Sequence, residues 1–202
     1  AAYTAVDLAE TDVEKAFLVN ADGTENLAEA CAENNAQFIH VSTDYVFDGE
    51  NNLSYTEEDF TNPLGVYGAS KLAGDELALE VNPCSVILRT SWVYSEFGKN
   101  FVKTMLNLFS TKEELNIVAD QFGQPTNAND LAEAIMKIIK SEKITPGIFN
   151  FSNLGRISWF DFAEKIAELS EAKIKLNAIE TSQYPTPAKR PKNSVLDLDK
   201  IS

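Results

Sequence analysis

The feature that most constrains this chain is a pair of short apolar runs, each of strand length, with a helix predicted between them. The runs cover residues 38–41 and 85–88, and the helix is expected over about residues 66–80. Runs that are apolar on both faces are typical of strands in a parallel sheet that helices cover on both sides. The sequence therefore predicts an α/β fold built on a parallel sheet.

The other predicted elements continue the alternation of helices and strands. Residues 11–34 are expected to form one long helix, capped by Thr11 or Asp12, with Glu14 completing a capping box on Thr11. Ser158 is expected to cap a later helix. Further helices are predicted at residues 100–109, 129–140 and 158–170, further strands at 115–118, 147–151 and 174–179, and an extended proline-rich tail at 184–194.

Polar side chains follow the first apolar run, and a tyrosine and a lysine lie on the helix after it. Thr43 and Asp44 come shortly after the run, while Tyr67 and Lys71 are one helical turn apart. Residues at i and i+4 share one face of a helix, so both side chains reach the same small volume. A Tyr/Lys pair alone is more often an exposed surface pair, but a hydroxyl at the end of the preceding strand indicates carbonyl–alcohol redox chemistry.

Composition and charge disfavour several classes of function. The chain has 17 basic and 31 acidic residues and a net charge of −14, which argues against a nucleic-acid polymer or an anionic membrane as its partner. It has no stretch of about 18 apolar residues that could span a bilayer. Cys31 and Cys84 show no metal-binding spacing, so we expect free thiols in a reducing cytoplasm. No ligand cluster predicts a metal site.

Seven motifs spread over the chain resemble those of the extended short-chain dehydrogenase/reductases, and among them the dTDP-4-dehydrorhamnose reductase family. They occur in the order in which that family has them, which makes the resemblance far more specific than a lone Tyr/Lys pair. The motifs are Ala1-Ala2-Tyr3-Thr4-Ala5-Val6-Asp7, Val19-Asn20-Ala21-Asp22-Gly23-Thr24, Ser42-Thr43-Asp44-Tyr45-Val46-Phe47-Asp48-Gly49, Tyr67-Gly68-Ala69-Ser70-Lys71, Arg89-Thr90-Ser91-Trp92-Val93-Tyr94, Asp120-Gln121-Phe122-Gly123-Gln124-Pro125-Thr126 and Arg190-Pro191-Lys192-Asn193-Ser194.

The resemblance implies an NAD(P)H-dependent reduction of the 4-keto group of dTDP-4-dehydro-L-rhamnose to dTDP-L-rhamnose. It also implies catalytic roles for three residues. Tyr67 would donate a proton to the ketone oxygen, and Thr43 would donate a hydrogen bond to the same oxygen. Lys71 would lower the pKa of Tyr67, which is ordinarily about 10, and would hold the nicotinamide ribose.

Further residues receive binding roles by the same resemblance. The implied cofactor-binding residues are Ala2, Tyr3, Thr4, Tyr67 and Lys71, and the implied substrate-binding residues are Thr43, Asp44, Trp92 and Arg190. Asn20 is expected to support the site from its helix. Three alternatives stay open: Asp44 as the cap of a turn, Trp92 as a core aromatic residue, and His40, the one histidine, as a structural residue.

The resemblance also implies a nicotinamide cofactor, NADPH or NADH, and a nucleotide sugar as partner. It leaves a magnesium requirement and a homodimer open. None of the nine glycines lies in a G-x-G-x-x-G turn before a helix, which is the cradle that such families use for the cofactor diphosphate. The chain is therefore expected to be a piece of a longer protein, shortened at both ends.

We accordingly expect a Rossmann-like doubly wound parallel sheet that lacks its first strands, joined to a smaller α/β substrate-binding subdomain. Residues 1–91 and 127–152 are assigned to the remainder of the dinucleotide-binding domain. Residues 92–126 and 153–202 are assigned to the substrate-binding subdomain.

Two other functions compete with this reductase. Nucleotide-sugar epimerases and dehydratases share the Tyr/Lys chemistry, but the dehydratases usually carry an Asp-Glu pair after the threonine, where this chain has Asp44-Tyr45. A non-catalytic regulatory subunit of the same fold is the other hypothesis. The presence of Thr43, Tyr67 and Lys71 together favours an enzyme.

Overall fold

Helices and strands alternate along the chain, as the apolar runs predict. The computed structural model describes residues 2–141, 143 and 145–202. The helices are α1 (Val6–Ala9), α2 (Val13–Phe17), α3 (Gly23–Glu33), α4 (Val66–Val81), α5 (Phe101–Phe109), α6 (Ala128–Lys140) and α7 (Trp159–Leu169). The strands are β1 (Ile39–Thr43), β2 (Val86–Thr90), β3 (Val93–Tyr94), β4 (Glu114–Val118), β5 (Phe122–Gly123), β6 (Thr126–Asn127), β7 (Gly147–Asn150), β8 (Ile157–Ser158) and β9 (Lys175–Ile179).

A parallel sheet in the order β1–β2–β7 contains both apolar runs. Ile39 of β1 is opposite Val86 of β2, and Val86 is opposite Gly147 of β7. Every residue of β2, the central strand, is buried. Among the described residues, β1 has no strand on its other side, so that edge of the sheet is open. The parallel sheet confirms the predicted α/β fold.

Helices cover both faces of this sheet. On one face Ile87 packs with Ala78 of α4 in a cluster that α3 completes, and on the other Leu88 packs with Leu131 of α6. Alternate residues of a strand face opposite sides, so His40 of β1, which is opposite Ile87 in register, lies on the α4 side. This double cover explains why the strands are apolar along most of their length.

The helix predicted over residues 11–34 runs through α2 and α3 but is not uniform. Between them, Leu18–Asp22 has π-helical geometry. The capping box predicted from Thr11 and Glu14 is wrong, because the Thr11 hydroxyl donates instead to a carbonyl oxygen of α1 at 3.1 Å. Asp12, the residue before α2, makes no side-chain cap either. The turn that closes α1 thus uses the hydroxyl that α2 was expected to use.

Helix α4 approaches its neighbours very closely at two glycines. A Cβ atom on Gly68 would collide with the carbonyl oxygen of Tyr45, and one on Gly74 would collide with the carbonyl oxygen of Asn20. Both positions therefore require glycine. The two contacts hold α4 against the turn after β1 and against the π-helical segment Leu18–Asp22.

A second group of elements packs around apolar and aromatic residues. Helices α5 and α7 enclose a cluster that includes Met105, Ile117 and Phe162, and β4 pairs in parallel with β9 beside it. Ser158 caps α7 as predicted: its hydroxyl accepts from the Asp161 amide at 3.1 Å, and the Ser158 amide donates to the Asp161 carboxylate at 2.8 Å. The predicted division of the chain into two parts stays a prediction.

The helices of the described residues include none that is both long and apolar enough to cross a membrane. In that same part of the chain, no group of three or more His, Cys, Asp or Glu side chains is arranged to hold a metal ion. Cys31, half-buried, and Cys84, exposed, are both free thiols.

Replacing Gly74 by Ala is expected to lower the free energy of unfolding by about 1–3 kcal/mol, because the new methyl group collides with the π-helical backbone. Gly23 is the matched control: its backbone is helical, and the nearest atom to a new Cβ is 3.4 Å away. Gly23→Ala should raise the free energy of unfolding by up to about 1 kcal/mol. Urea-induced unfolding measures both changes. Equal stability of Gly74→Ala and the unmodified chain would contradict the close contact.

Candidate active site

An open cleft of about 1150 Å³ runs along the free edge of β1. Thr43 lies at the end of β1, Tyr67 and Lys71 lie in the first half of α4, and Trp92 follows β2. The carboxyl ends of parallel strands are where α/β folds bind their ligands. The fold therefore brings seven predicted site residues to one cleft, namely Ala2, Thr4, Thr43, Asp44, Tyr67, Lys71 and Trp92.

Thr43 forms the corner between β1 and the helical turn Asp44–Val46. Its hydroxyl oxygen accepts a hydrogen bond from the Tyr45 amide at 3.2 Å, and its hydroxyl proton is donated to the Asp44 carboxylate at 3.1 Å. The cap of this turn is therefore Thr43. The alternative in which the Asp44 side chain caps the turn is not observed.

Tyr67 lies near Thr43 at the mouth of the cleft. Burial of the phenol raises the pKa of Tyr67 to about 12; the Thr43 hydroxyl lowers it, and the carboxylates of Asp44 and Asp75 raise it further. The phenol is therefore protonated near neutral pH. Lys71 is not among the causes of this shift, so its lowering of the pKa of Tyr67 stays a prediction.

Lys71 places its ammonium group beneath β1. The amine nitrogen lies 2.7 Å from Nε2 of His40 and donates to the Val41 carbonyl oxygen at 2.8 Å. Burial lowers the pKa of Lys71 to about 8, and the carboxylate of Asp75 opposes that shift. With these partners the ammonium is not among the groups that shift the pKa of Tyr67.

Asp44 is a buried carboxylate with one oxygen left without a partner. Its side chain accepts the Thr43 proton at Oδ1, while Oδ2 has no hydrogen-bond partner within the described part of the chain. Burial raises the pKa of Asp44 to about 7, and hydrogen bonds to the carboxylate act in the opposite direction. An unpaired buried oxygen is costly. Beside the cleft, it is suited to accept a hydrogen bond from a ligand hydroxyl.

Trp92 is held rigidly at the wall of the cleft. Its backbone has a left-handed φ of +45°. The indole stacks on Trp159 with ring centroids 3.5 Å apart and lies against Gly123, where a Cβ atom would collide with the ring. Trp92 thus packs as a core aromatic residue on these sides and also lines the cleft. Both of its predicted roles agree with this position.

Arg190 lines a second cavity, of about 550 Å³, rather than the cleft itself. Its guanidinium forms a bidentate salt bridge with the Asp7 carboxylate, with N–O distances of 2.8 and 3.0 Å. The hydrogen bonds from Arg190 hold the pKa of Asp7 below its usual range. The two cavities adjoin, because both are lined by Tyr45, Phe101 and Trp159.

Phe101 and Trp159 also line the cleft, and no sequence motif indicated them. Each is the first residue of its helix, after the caps Asn100 and Ser158. The caps signal where α5 and α7 begin. They carry no information about which cavity the following aromatic ring lines.

The N-terminal loop reaches the cleft through Ala2 and Thr4, which line it. Tyr3 instead donates its phenol proton to the carboxylate before α2 at 3.1 Å. Asn20 fastens this loop: its side chain accepts from the Tyr3 amide at 2.8 Å and donates to the Tyr3 carbonyl oxygen and to the Ser70 hydroxyl, both at 3.0 Å. Asn20 thus ties the loop to α4.

The raised pKa of Asp44 predicts a pH-dependent change in stability. Its pKa of about 7 lies above the usual 3.8, so the folded chain binds the extra proton between these values and loses stability as the pH rises through that window. Asp44→Asn removes this loss. The free energy of unfolding of the variant, relative to the unmodified chain, should rise between about pH 4 and about pH 7, by at most about 4 kcal/mol.

Denaturant titrations of both proteins at several pH values measure this difference. Asp48→Asn is the control, because the pKa of Asp48 is lowered from its usual value and therefore lies below this pH window. The largest cause of that lowering is a hydrogen bond from the Glu50 amide. The stability difference of Asp48→Asn should stay flat over the same window. A flat difference for Asp44→Asn as well would contradict the burial of its carboxylate.

One family matches the whole chain. The model of the RmlD substrate binding domain covers residues 1–202. The dTDP-4-dehydrorhamnose reductase of Sinorhizobium fredii is 50% identical over 210 residues, which span 100% of this chain and 71% of that protein. The protein of the same name from Aggregatibacter actinomycetemcomitans is 48% identical over 211 residues, spanning 100% of this chain and 72% of that protein.

Solved structures of similar proteins share the fold. The dTDP-4-dehydrorhamnose reductase from Bacillus anthracis, in complex with NADP, is 40% identical with a TM-score of 0.96 over 100% of this chain and 71% of that one. The Clostridium acetobutylicum protein of that name is 44% identical with a TM-score of 0.94, over 98% of this chain and 69% of that one. A UDP-glucuronic acid 4-epimerase from Bacillus cereus, 23% identical with a TM-score of 0.84, shares the fold alone. The chain belongs to the dTDP-4-dehydrorhamnose reductase family, as its ordered motifs predict.

Proposed function

We propose that this chain carries the catalytic centre of an enzyme that reduces the 4-keto group of dTDP-4-dehydro-L-rhamnose to give dTDP-L-rhamnose, with NADPH or NADH as cofactor. The observation that carries the proposal is the meeting of Thr43, Tyr67 and Lys71 at the free edge of β1. The relatives named dTDP-4-dehydrorhamnose reductase, 50% and 48% identical, support the substrate. The NADP complex of the Bacillus anthracis protein supports the cofactor.

The carboxyl end of β1 fits the nicotinamide end of such a cofactor, because two hydrogen-bond donors lie beside it in the cleft. Tyr67 and Lys71 would hold the nicotinamide ribose, next to the loop of Ala2, Tyr3 and Thr4. The bound nicotinamide supplies a hydride. The cofactor diphosphate has no glycine-rich cradle within these 202 residues.

Reduction of a ketone adds a hydride to its carbon and a proton to its oxygen. Tyr67 is suited to supply the proton, because a pKa of about 12 keeps its phenol protonated near neutral pH. Thr43 would donate a hydrogen bond to the same oxygen and stabilise the charge that develops there. Its proton now goes to Asp44, so rotation of the hydroxyl toward a ketone would free the Asp44 carboxylate to accept from a sugar hydroxyl.

The two adjoining cavities suit a nucleotide sugar. The sugar would lie in the cleft near Asp44 and Trp92, and the nucleotide would lie in the second cavity near Arg190. A planar guanidinium is well matched to a diphosphate. The Asp7 carboxylate now fills that fork, so the ligand diphosphate would replace one anion with another.

We infer a cytoplasmic location from the two free thiols and from the substrate. The net charge of −14 agrees with a small nucleotide-sugar partner and disfavours nucleic acids and anionic membranes. A homodimer and a magnesium requirement stay open.

Tyr67→Phe in the full-length protein should lower the rate of keto-sugar reduction by about 10²- to 10⁴-fold, because the variant has no phenolic proton to donate. Oxidation of NADPH with the keto sugar, followed by absorbance, measures the rate. Tyr94→Phe is the matched control, since the Tyr94 ring packs on Phe162 with centroids 5.7 Å apart and lines neither cavity. An unchanged rate in Tyr67→Phe would contradict the proposed mechanism.

The 202-residue chain on its own should bind NADPH weakly or not at all, because it has no glycine-rich turn for the cofactor diphosphate. Titration followed by NADPH fluorescence tests this expectation, with the full-length protein as the positive control. Low-micromolar affinity of the 202-residue chain would refute it.

A further inference from the structure

On the α4 side of β1 lies a buried group of polar and charged side chains, most of which have no part in the proposed reaction. These side chains come from β1, α4 and β2, and each belongs to a residue that is at most 8% exposed. So many ionisable groups in one apolar layer are rarely accidental, because burying charge without partners is costly. They are His40, Ser42, Lys71, Asp75 and Arg89.

His40 is the centre of this group. Its Nε2 atom lies 2.7 Å from the amine nitrogen of Lys71 and 3.7 Å from Oδ1 of Asp75. On its other oxygen, Asp75 accepts from the Ser42 hydroxyl at 2.8 Å and from Nε of Arg89 at 3.4 Å. Lys71 therefore ends in a buried polar layer to which β1, α4 and β2 all contribute.

The hydrogen bond between Lys71 and His40 fixes the protonation of the imidazole. An ammonium group has donors only, so Nε2 of His40 must accept and the ring proton must be on Nδ1. Burial, followed by the charge of Lys71, lowers the pKa of His40 to about 3, in agreement with a neutral ring. The one histidine of the chain is therefore a permanent acceptor near neutral pH and does not titrate there.

We propose that His40 is a positioning residue for Lys71: its imidazole nitrogen, together with the Val41 carbonyl oxygen, fixes where the lysine ammonium lies at the edge of the cleft. The Asp75 carboxylate lies near the same nitrogen, with its Oδ1 3.7 Å from Nε2, and its charge favours the charged form of Lys71. The spacing fits this role, since Lys71 and Asp75 share a face of α4 and His40 lies on the face of β1 that α4 covers. The role of this lysine in catalysis rests on the proposed function, whereas the place of its ammonium group is observed in the structure.

Loss of the His40 acceptor should favour the neutral amine of Lys71. The buried ammonium would keep one neutral acceptor, the Val41 carbonyl oxygen, so the pKa of Lys71 should fall from about 8. The other titratable or charged groups around Lys71 stay in place in such a variant, so they do not explain a change between variants. These groups are Tyr67 and Asp75 on α4, Asp44 after β1 and Arg89 on β2.

The experiment uses the full-length protein with lysine labelled with 13C at Cε, in which NMR follows the titration of the Lys71 amine. The resonance is assigned by its loss in Lys71→Arg. In His40→Phe the pKa of Lys71 should fall by about one unit, the value of one hydrogen bond to a charged group. In His40→Gln the amide oxygen can replace Nε2 as acceptor, so the pKa should return close to that of the unmodified protein. The alkaline limb of the kcat/KM profile should move with the pKa in both variants.

An unchanged pKa of Lys71 in His40→Phe, or an equal fall in His40→Gln, would overturn the proposal. A His40→Phe variant that does not fold leaves a measurement on the unmodified protein: the 15N shifts of the His40 ring should show Nε2 without a proton and Nδ1 with one. A proton on Nε2 would overturn the proposal as well. If the unmodified protein does not reduce the keto sugar, the proposed function fails, while the titration of Lys71 still decides the role of His40.

Discussion

The close approach of α4 to the rest of the fold is the constraint on which the candidate site depends. Gly68 and Gly74 let this helix contact the turn after β1 and the π-helical segment at backbone distance. Because these contacts fix both the height and the rotation of α4, Tyr67 stands near the Thr43 hydroxyl and Lys71 passes beneath the strand. A helix held farther away by the width of a methyl group would separate the phenol from the strand end and the amine from its acceptors.

Desolvation then sets the protonation of the site. The pKa is about 12 for Tyr67, about 8 for Lys71 and about 7 for Asp44, and burial is the largest cause in each case. Each shift favours the neutral form of its group. A polar ligand in the cleft would alter that balance for all three groups at once. The Tyr/Lys spacing could not predict these values, because spacing determines which side chains share a helix face but not which acceptor an ammonium group binds.

Signals that act over a few residues predicted most of the local structure, although the capping box expected at Thr11 was wrong. The apolar runs located β1 and β2, and Ser158 marked the start of α7, because strand burial and helix caps depend on neighbouring residues. The site residues came from ordered family motifs. Contacts between distant segments had no such signal: the pair of Arg190 with Asp7 joins the two ends of the chain, and Trp92 stacks on the first residue of α7. Such contacts follow from the packing of separate elements, which no periodicity in the sequence records.

The edge of β1 that has no neighbouring strand among the described residues is available to a further strand of the sheet. The Phe38 carbonyl oxygen accepts from the Val86 amide of β2. In a parallel strand the N–H and C=O groups of successive residues point to opposite sides. The N–H and C=O groups of Ile39 and Val41 therefore point to the open side. An unpaired edge is a template for extended segments of other molecules. The Lys71 ammonium occupies the Val41 carbonyl oxygen and places a charge on that edge. A further strand of the expected doubly wound sheet that paired at this edge would therefore find the Val41 carbonyl oxygen already taken by the lysine.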